Sequence, residues 1–133
     1  MTAAPGLWYN LSHGGIHLYK TEFYETSAGR RPAESFLDSL DIKLQAKIAR
    51  VVALLAEYGP ELRAPHSKPL SDGIFELRAT VGSDTARVLY FFHAGRIIIL
   101  TNGFVKKTQK TPPEELARAK AYKADYIKRE GLK

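Results

Sequence analysis

Between Asp41 and Gly59 the apolar residues Leu44, Ile48, Val51, Leu55 and Tyr58 recur at spacings of four, three, four and three. That rhythm places all five on one stripe of an α-helix and is incompatible with a strand, whose side chains alternate sides. Asp41 is suited to cap the start of this helix and Gly59-Pro60 to stop it. The stripe reads as core, so it needs an apolar surface to lie on. Downstream, after a stretch of breakers (Pro65, Pro69, Ser71-Asp72-Gly73), come three strand-like runs over residues 74–80, 85–93 and 96–102. Their separators, Val81-Gly82-Ser83-Asp84 and Ala94-Gly95, are hairpin-sized, so residues 74–103 read as an antiparallel meander.

The remaining elements follow from local signals. Leu18–Glu25 reads as a strand, and Ala28-Gly29-Arg30-Arg31-Pro32 breaks it. Pro32 fits the first position of a short helix in which Phe36, Leu37 and Leu40 fall at helical spacing. Residues 112–130 read as a last helix, with Thr111 as cap, Pro112 in the first turn, and Glu114 and Glu115 complementing its positive end. The order strand, two helices, three strands, helix predicts an α+β domain. Its antiparallel sheet would combine the N-terminal strand with the meander, and the two N-terminal helices and the C-terminal helix would pack on one face. Residues 1–17 carry three glycines and little periodicity. They read as an N-terminal extension, with Trp8 and Tyr9 able to pack onto the domain of residues 18–133.

Composition narrows the function classes. The chain of 133 residues is 44% hydrophobic and 26% charged, ordinary for one globular domain. It has no cysteine, which excludes a disulfide framework, a thiolate metal site and a thiol nucleophile. Apolar runs such as Ile97–Leu100 are too short to span a bilayer, and no basic-then-apolar leader opens the sequence; a cytoplasmic protein is expected. The formal charge is +6. Residues 1–59 hold six Lys/Arg and six Asp/Glu, whereas residues 60–133 hold fourteen against eight, so the whole excess lies in the second half. A basic half favours a polyanionic partner such as RNA or DNA, the alternative being a solvated surface.

Strand alternation groups the side chains that could carry chemistry. In the first meander strand Ile74, Glu76 and Arg78 share a side, opposite Phe75, Leu77 and Ala79; in the second, Arg87, Leu89, Phe91 and His93 oppose Ala86, Val88, Tyr90 and Phe92. Arg78 is expected on the open face, in mid-sheet. Arg87 shares its side with Leu89 and Phe91, so its strand must turn over or be covered in part on both sides. An arginine inside a strand is either half of a structural pair, with Glu76 or Asp84 as partner for Arg87, or a planar clamp for phosphate. Past the last strand, Gly103-Phe104-Val105-Lys106-Lys107-Thr108-Gln109-Lys110-Thr111-Pro112 sets three lysines beside an aromatic ring, the combination that suits single-stranded nucleic acid. His13, His17, His66 and His93 have no ligand spacing, and no Gly-rich phosphate loop or nucleophile elbow occurs. A site rich in Arg, Lys and Tyr can still cut RNA, because the ribose 2′-OH supplies the nucleophile.

Three strings together resemble the phage Gp49-like/HigB branch of the RelE/ParE toxin superfamily. They are Lys68-Pro69-Leu70-Ser71-Asp72-Gly73-Ile74-Phe75-Glu76-Leu77-Arg78, Arg87-Val88-Leu89-Tyr90-Phe91-Phe92, and the run from Asn102 to Pro112. The resemblance extends from about Leu18 to Arg129. It implies a RelE-like fold and the toxin of a type II toxin–antitoxin system. That toxin would be a metal-independent endoribonuclease, without cofactor, that cleaves mRNA on the translating ribosome. It implies a cognate antitoxin, commonly a helix-turn-helix protein, through which alone the toxin would meet operator DNA. Carried over by motif position, Arg78 and Arg87 would hold the scissile phosphate. Lys106 and Lys107 would neutralise the transition state, Lys68 and Lys110 would hold RNA, and Tyr90 and Phe104 would stack on bases or belong to the core. The sequence departs from the family pattern at Asn102, where many relatives carry histidine, and in residues 1–17. Within the superfamily, a ParE-like gyrase inhibitor and an inactive nucleic-acid-binding relative are the alternatives.

Overall fold

The structure, a computed structural model, describes residues 18–106 and 110–131, with the backbone alone for Lys106. The expected extension over residues 1–17 lies outside this range, as does Lys107. The chain runs β1 (Lys20–Phe23), α1 (Pro32–Asp38), α2 (Ile42–Tyr58), a 3-10 turn (Gly59–Glu61), β2 (Ser67–Pro69), β3 (Phe75–Val81), β4 (Asp84–His93), β5 (Ile97–Lys106) and α3 (Pro113–Glu130). The strands form one sheet in the order β1-β5-β4-β3-β2.

Local signals account for most of the element ends. Pro32 opens α1. Asp41 caps α2, its Oδ1 accepting from the Leu44 backbone N–H at 2.9 Å, a bond of the kind that contributes about 1 kcal/mol. The β3–β4 hairpin closes through Gly82-Ser83, with Gly82 at φ 62°. A glycine at positive φ in the first central position is what a type II′ turn requires, and that turn matches the twist of the strands it joins.

Three features depart from the sequence reading. The stretch after α2, read as a loop, contains the edge strand β2, whose Pro69 is tolerated because an edge needs no ladder donor on its outer side. The N-terminal strand joins the sheet parallel to β5, Lys20 opposite Ile97 and Phe23 opposite Leu100, so the sheet is mostly rather than wholly antiparallel. And the helices do not share one face. Ala33 and Leu37 of α1 and Ile48, Val51, Val52 and Leu55 of α2 bury against Leu77, Ala79, Val88, Tyr90, Ile98 and Leu100. On the opposite face Leu116, Ala119, Tyr122 and Tyr126 of α3 pack with Ile74, Leu89, Phe91 and Ile99. The second of these faces explains why Arg87 shares a side with Leu89 and Phe91: that side is covered by α3 at one end and carries the charged cluster at the other.

β5 crosses both environments by means of a bulge. Leu89 pairs with Asn102 but Tyr90 pairs with Leu100, so Thr101 is the extra residue. Its hydroxyl donates to the Leu89 carbonyl at 3.0 Å, which satisfies a ladder group that the bulge would otherwise strand. The insertion flips the alternation, bringing Asn102 and Phe104 onto the face of Arg87. Gly103, on the other side, leaves room for the Phe36 ring of α1, which would lie 2.3 Å from a Cβ built there. β5 accordingly extends through Lys106, four residues past the expected end at Asn102.

Candidate functional site

Arg78 and Arg87 stand directly opposite each other in the β3–β4 ladder. Like charges so placed repel, and the sequence places the remedy two residues earlier on the same face. Glu76 is completely buried; its Oε1 receives Arg78 Nε at 2.7 Å, and its Oε2 lies 3.7 Å from Arg87 Nη1. Of the two carboxylates considered as partner for Arg87, Glu76 is the one that fills the role, and it serves both arginines. A further donor arrives from the segment before α3: the Thr111 hydroxyl reaches Glu76 Oε2 at 2.5 Å. Thr111 therefore does not cap α3, as expected from sequence; the cap position is Pro112, with no side-chain cap bond. A buried carboxylate takes a strong charge-assisted bond in preference to leaving a lone pair bare, and that need outweighs the modest return of a helix cap.

The cluster borders a cavity. β2 pairs with β3 only as far as Leu77, so from Arg78 onward no described strand covers the outer side of β3. There a cavity of about 290 Å³ is lined by Lys47, Pro65, His66, Arg78, Ala79, Thr80, Thr85 and Arg87. A second, more apolar cavity of about 390 Å³ adjoins it, sharing Pro65 and Arg78 and reaching Lys68. The side chain of Arg78 is 23% exposed and that of Arg87 5%. Arg78 is thus the accessible guanidinium, and Arg87 backs it from inside the sheet. A larger cavity of about 590 Å³ lies elsewhere, between the turn preceding α1, Asn102 and α3. It too is lined by arginines, Arg30, Arg31 and Arg118, of which Arg31 is engaged by Glu25 at 2.9 Å and Glu34 at 3.5 Å, and Arg118 by Glu115 at 2.9 Å.

The other candidates divide. Lys68 is exposed on β2, opposite Glu76 in register. Lys110 is exposed and adjoins Thr111, whose bond to Glu76 tethers it near the arginines. Lys106 ends β5 opposite Thr85, which lines the cavity. Phe104 is half-buried opposite Arg87, against the α3 cluster. Tyr90 is a correction: its ring is buried on the α2 side, stacked on Phe75 at 5.5 Å, and its hydroxyl bonds the Ser67 Oγ at 2.6 Å. Neither ring face is left for a base. Burial pushes the Tyr90 phenol up to about 12.

Sequence reasoning missed Lys47 and His66. Lys47 lies on a helix read only for its apolar stripe, and His66 follows a proline in a segment without periodicity. Asn102 donates through Nδ2 to the Glu115 carbonyl at 3.2 Å and carboxylate at 3.0 Å, so it fastens β5 to α3 away from the cavity. Among the described residues no group of three or more His, Asp or Glu is placed to hold a metal ion, and no helix is long and apolar enough to cross a membrane.

The family model described as phage derived protein Gp49-like (DUF891) matches residues 35–123, a span that includes Lys47, Glu76, both arginines and Thr111. No curated protein matches the chain.

Proposed function

The chain belongs to the phage-derived Gp49-like family, of the RelE/HigB toxin type, and on that premise we propose that it is the endoribonuclease toxin of a toxin–antitoxin pair. It would cleave mRNA on the translating ribosome and be restrained by an antitoxin of the helix-turn-helix kind. The observation that carries the reading is the arginine pair, held by one buried carboxylate at the wall of a cavity otherwise lined by Lys47, His66 and two threonines.

In the proposed reaction the ribose 2′-oxygen attacks the adjacent phosphorus. The P–O2′ bond forms and the P–O5′ bond breaks, leaving a 2′,3′-cyclic phosphate and a 5′-hydroxyl. Two negative oxygens develop on phosphorus, and fixed donors aimed at them lower the barrier more than mobile water does. Arg78 and Arg87 supply such donors, pre-oriented by Glu76, with Lys106 and Lys107 neutralising the same charge. His66 lines the same cavity, so in this reading its imidazole accepts the 2′-hydroxyl proton, and the 5′-oxygen takes up a proton as it leaves. Lys68 and Lys110 would hold the flanking strand, and the half-buried Phe104 would stack on a base.

Induction of the chain in a bacterial host, with mapping of mRNA 5′ ends, tests this. In-frame cuts within translated messages are expected, reduced about 100-fold by Arg78→Ala and by His66→Ala. Arg87→Ala is a poor probe, since it strips a buried carboxylate of a partner at a cost of about 3–5 kcal/mol. Arg87→Lys keeps the charge and removes the fork, and it should lose cleavage while melting near the wild type. Growth arrest with intact messages would overturn the ribonuclease reading in favour of a gyrase-directed toxin; no arrest would leave an inactive binding relative.

A further inference from the structure

α2 carries charge against its own helical preferences. Lys43, Lys47 and Arg50 are all exposed, and their spacings of four and three put them on one line along the helix. Like charges at that spacing repel. Lys43 also stands in the first turn, where the positive end of the helix dipole disfavours a cation, and that turn holds no acidic residue. From Ile42 to Ala56 the helix has no Asp or Glu at all. None of the three cations forms an ion pair among the described residues. α3 of the same chain behaves conventionally, with Glu114 and Glu115 in its first turn and Lys128 and Arg129 in its last. The α2 pattern is therefore not a habit of this sequence, and packing does not explain it, because the buried side of α2 is the separate stripe of Leu44, Ile48, Val51, Val52 and Leu55.

The line is continuous with the arginine cavity. Lys47, its middle member, shares the cavity wall with Arg78 and Arg87. Lys43 and Arg50 extend it one helical turn in each direction, over about 10 Å in all. We propose that Lys43, Lys47 and Arg50 form a track for the phosphate backbone of the single-stranded RNA flanking the bond to be cut, so that the strand runs along α2 into the cleft. This rests on the ribonuclease reading and adds to it the path of the substrate. Three point charges without aromatic rings or base-reading donors give a contact that is indifferent to sequence.

The test uses the double variant Lys43→Gln/Arg50→Gln, which spares Lys47 and the cavity and replaces good helix formers by another. The probe is a fluorescein-labelled single-stranded 2′-O-methyl oligoribonucleotide, which has no 2′-hydroxyl to react, and anisotropy is followed across a salt series. Wild type should bind with a steep salt dependence. The variant should bind on the order of 10-fold more weakly at 0.1 M salt, with a log–log slope smaller by about 1.4. Cleavage of translated messages should be reduced but not abolished, because Arg78 and Arg87 are untouched. Equal affinity and equal slope would overturn the track while leaving the ribonuclease reading intact. Intact RNA binding with weakened antitoxin binding would also overturn it, assigning the stripe to the protein partner. If wild type itself fails to hold the oligonucleotide at low salt, the track is overturned, while the ribonuclease reading is decided separately by the mapping of mRNA 5′ ends.

Discussion

Arg87 and Tyr90 lie three residues apart on β4 and face opposite sides of the sheet, and that difference in direction separates chemistry from scaffold. Both types are at home in RNA sites, so residue type alone made both candidates. Alternation had already placed them on opposite faces; what it lacked was which helix covers which face. The ring of Tyr90 fills the layer beneath α2, and its hydroxyl is satisfied by Ser67, a residue of the edge strand that the sequence hid among prolines. Tyr90→Phe should therefore lower stability by about 1 kcal/mol, chiefly because the buried Ser67 hydroxyl loses its partner. Cleavage per folded molecule should not change, measured as urea unfolding beside a fixed-substrate assay; a large loss of cleavage at intact stability would return Tyr90 to the site. Glu76 shows the converse limit. A glutamate between Phe75 and Leu77 was legible as a partner for one arginine. That it holds two, and draws Thr111 as well, depends on register across the hairpin and on a segment 35 residues away.

At the scale of elements, the periodic pieces were readable and the pieces defined by neighbours were not. α2 and the three meander strands follow from repeats of 3.6 and 2 within a single stretch of sequence. β2 is three residues long and carries no repeat; it exists because β3 offers it an edge. β5 continues through the bulge at Thr101 to Lys106, past its expected end at Asn102, because β4 offers ladder partners as far as Thr85. The start of α3 is the instructive case. Thr111 followed by proline and two glutamates has every mark of a cap, but tertiary structure claims the hydroxyl for Glu76. Thr111→Val should leave the helix content of α3 unchanged and lower stability by about 1.5–3 kcal/mol, as expected for a bond to a charged acceptor. It should also reduce cleavage, because Lys110 loses its tether, and Thr111→Ser should restore both. Circular dichroism with thermal melts distinguishes this from a lost cap, which would fray the first turn of α3.

At the scale of the whole molecule, the open question for a sequence reader was where the C-terminal helix goes. Its apolar positions fit either face of the sheet; the choice is made by contacts between distant ends of the chain. Tyr24, just past β1, stacks on Tyr122 at 4.6 Å, and its hydroxyl donates to Asp125 Oδ2 at 2.6 Å. Arg129 Nε donates to the same oxygen at 2.9 Å, and its Nη2 reaches the Glu25 carbonyl. These ties join residues a hundred positions apart and hold α3 across the face opposite α2, which leaves the β3 edge open for the cavity. They also write themselves into the pH dependence. Burial, with the hydrogen bond to Asp125 second, pushes the Tyr24 phenol up to about 12, whereas in the unfolded chain it ionises near 10. A raised folded value means that the contribution is fully present below pH 10 and is lost as pH rises towards 12. Asp125 is held below its ordinary carboxylate value, first by the Tyr24 hydrogen bond. Its contribution is therefore present above about pH 4 and lost as pH falls through the depressed value. Tyr24→Phe should flatten both limbs of the stability profile and lower the plateau between them. Urea midpoints measured from acid to alkali check this. Steep limbs unchanged from wild type would mean that α3 is held by its apolar face alone, with Tyr24 acting only as a ring.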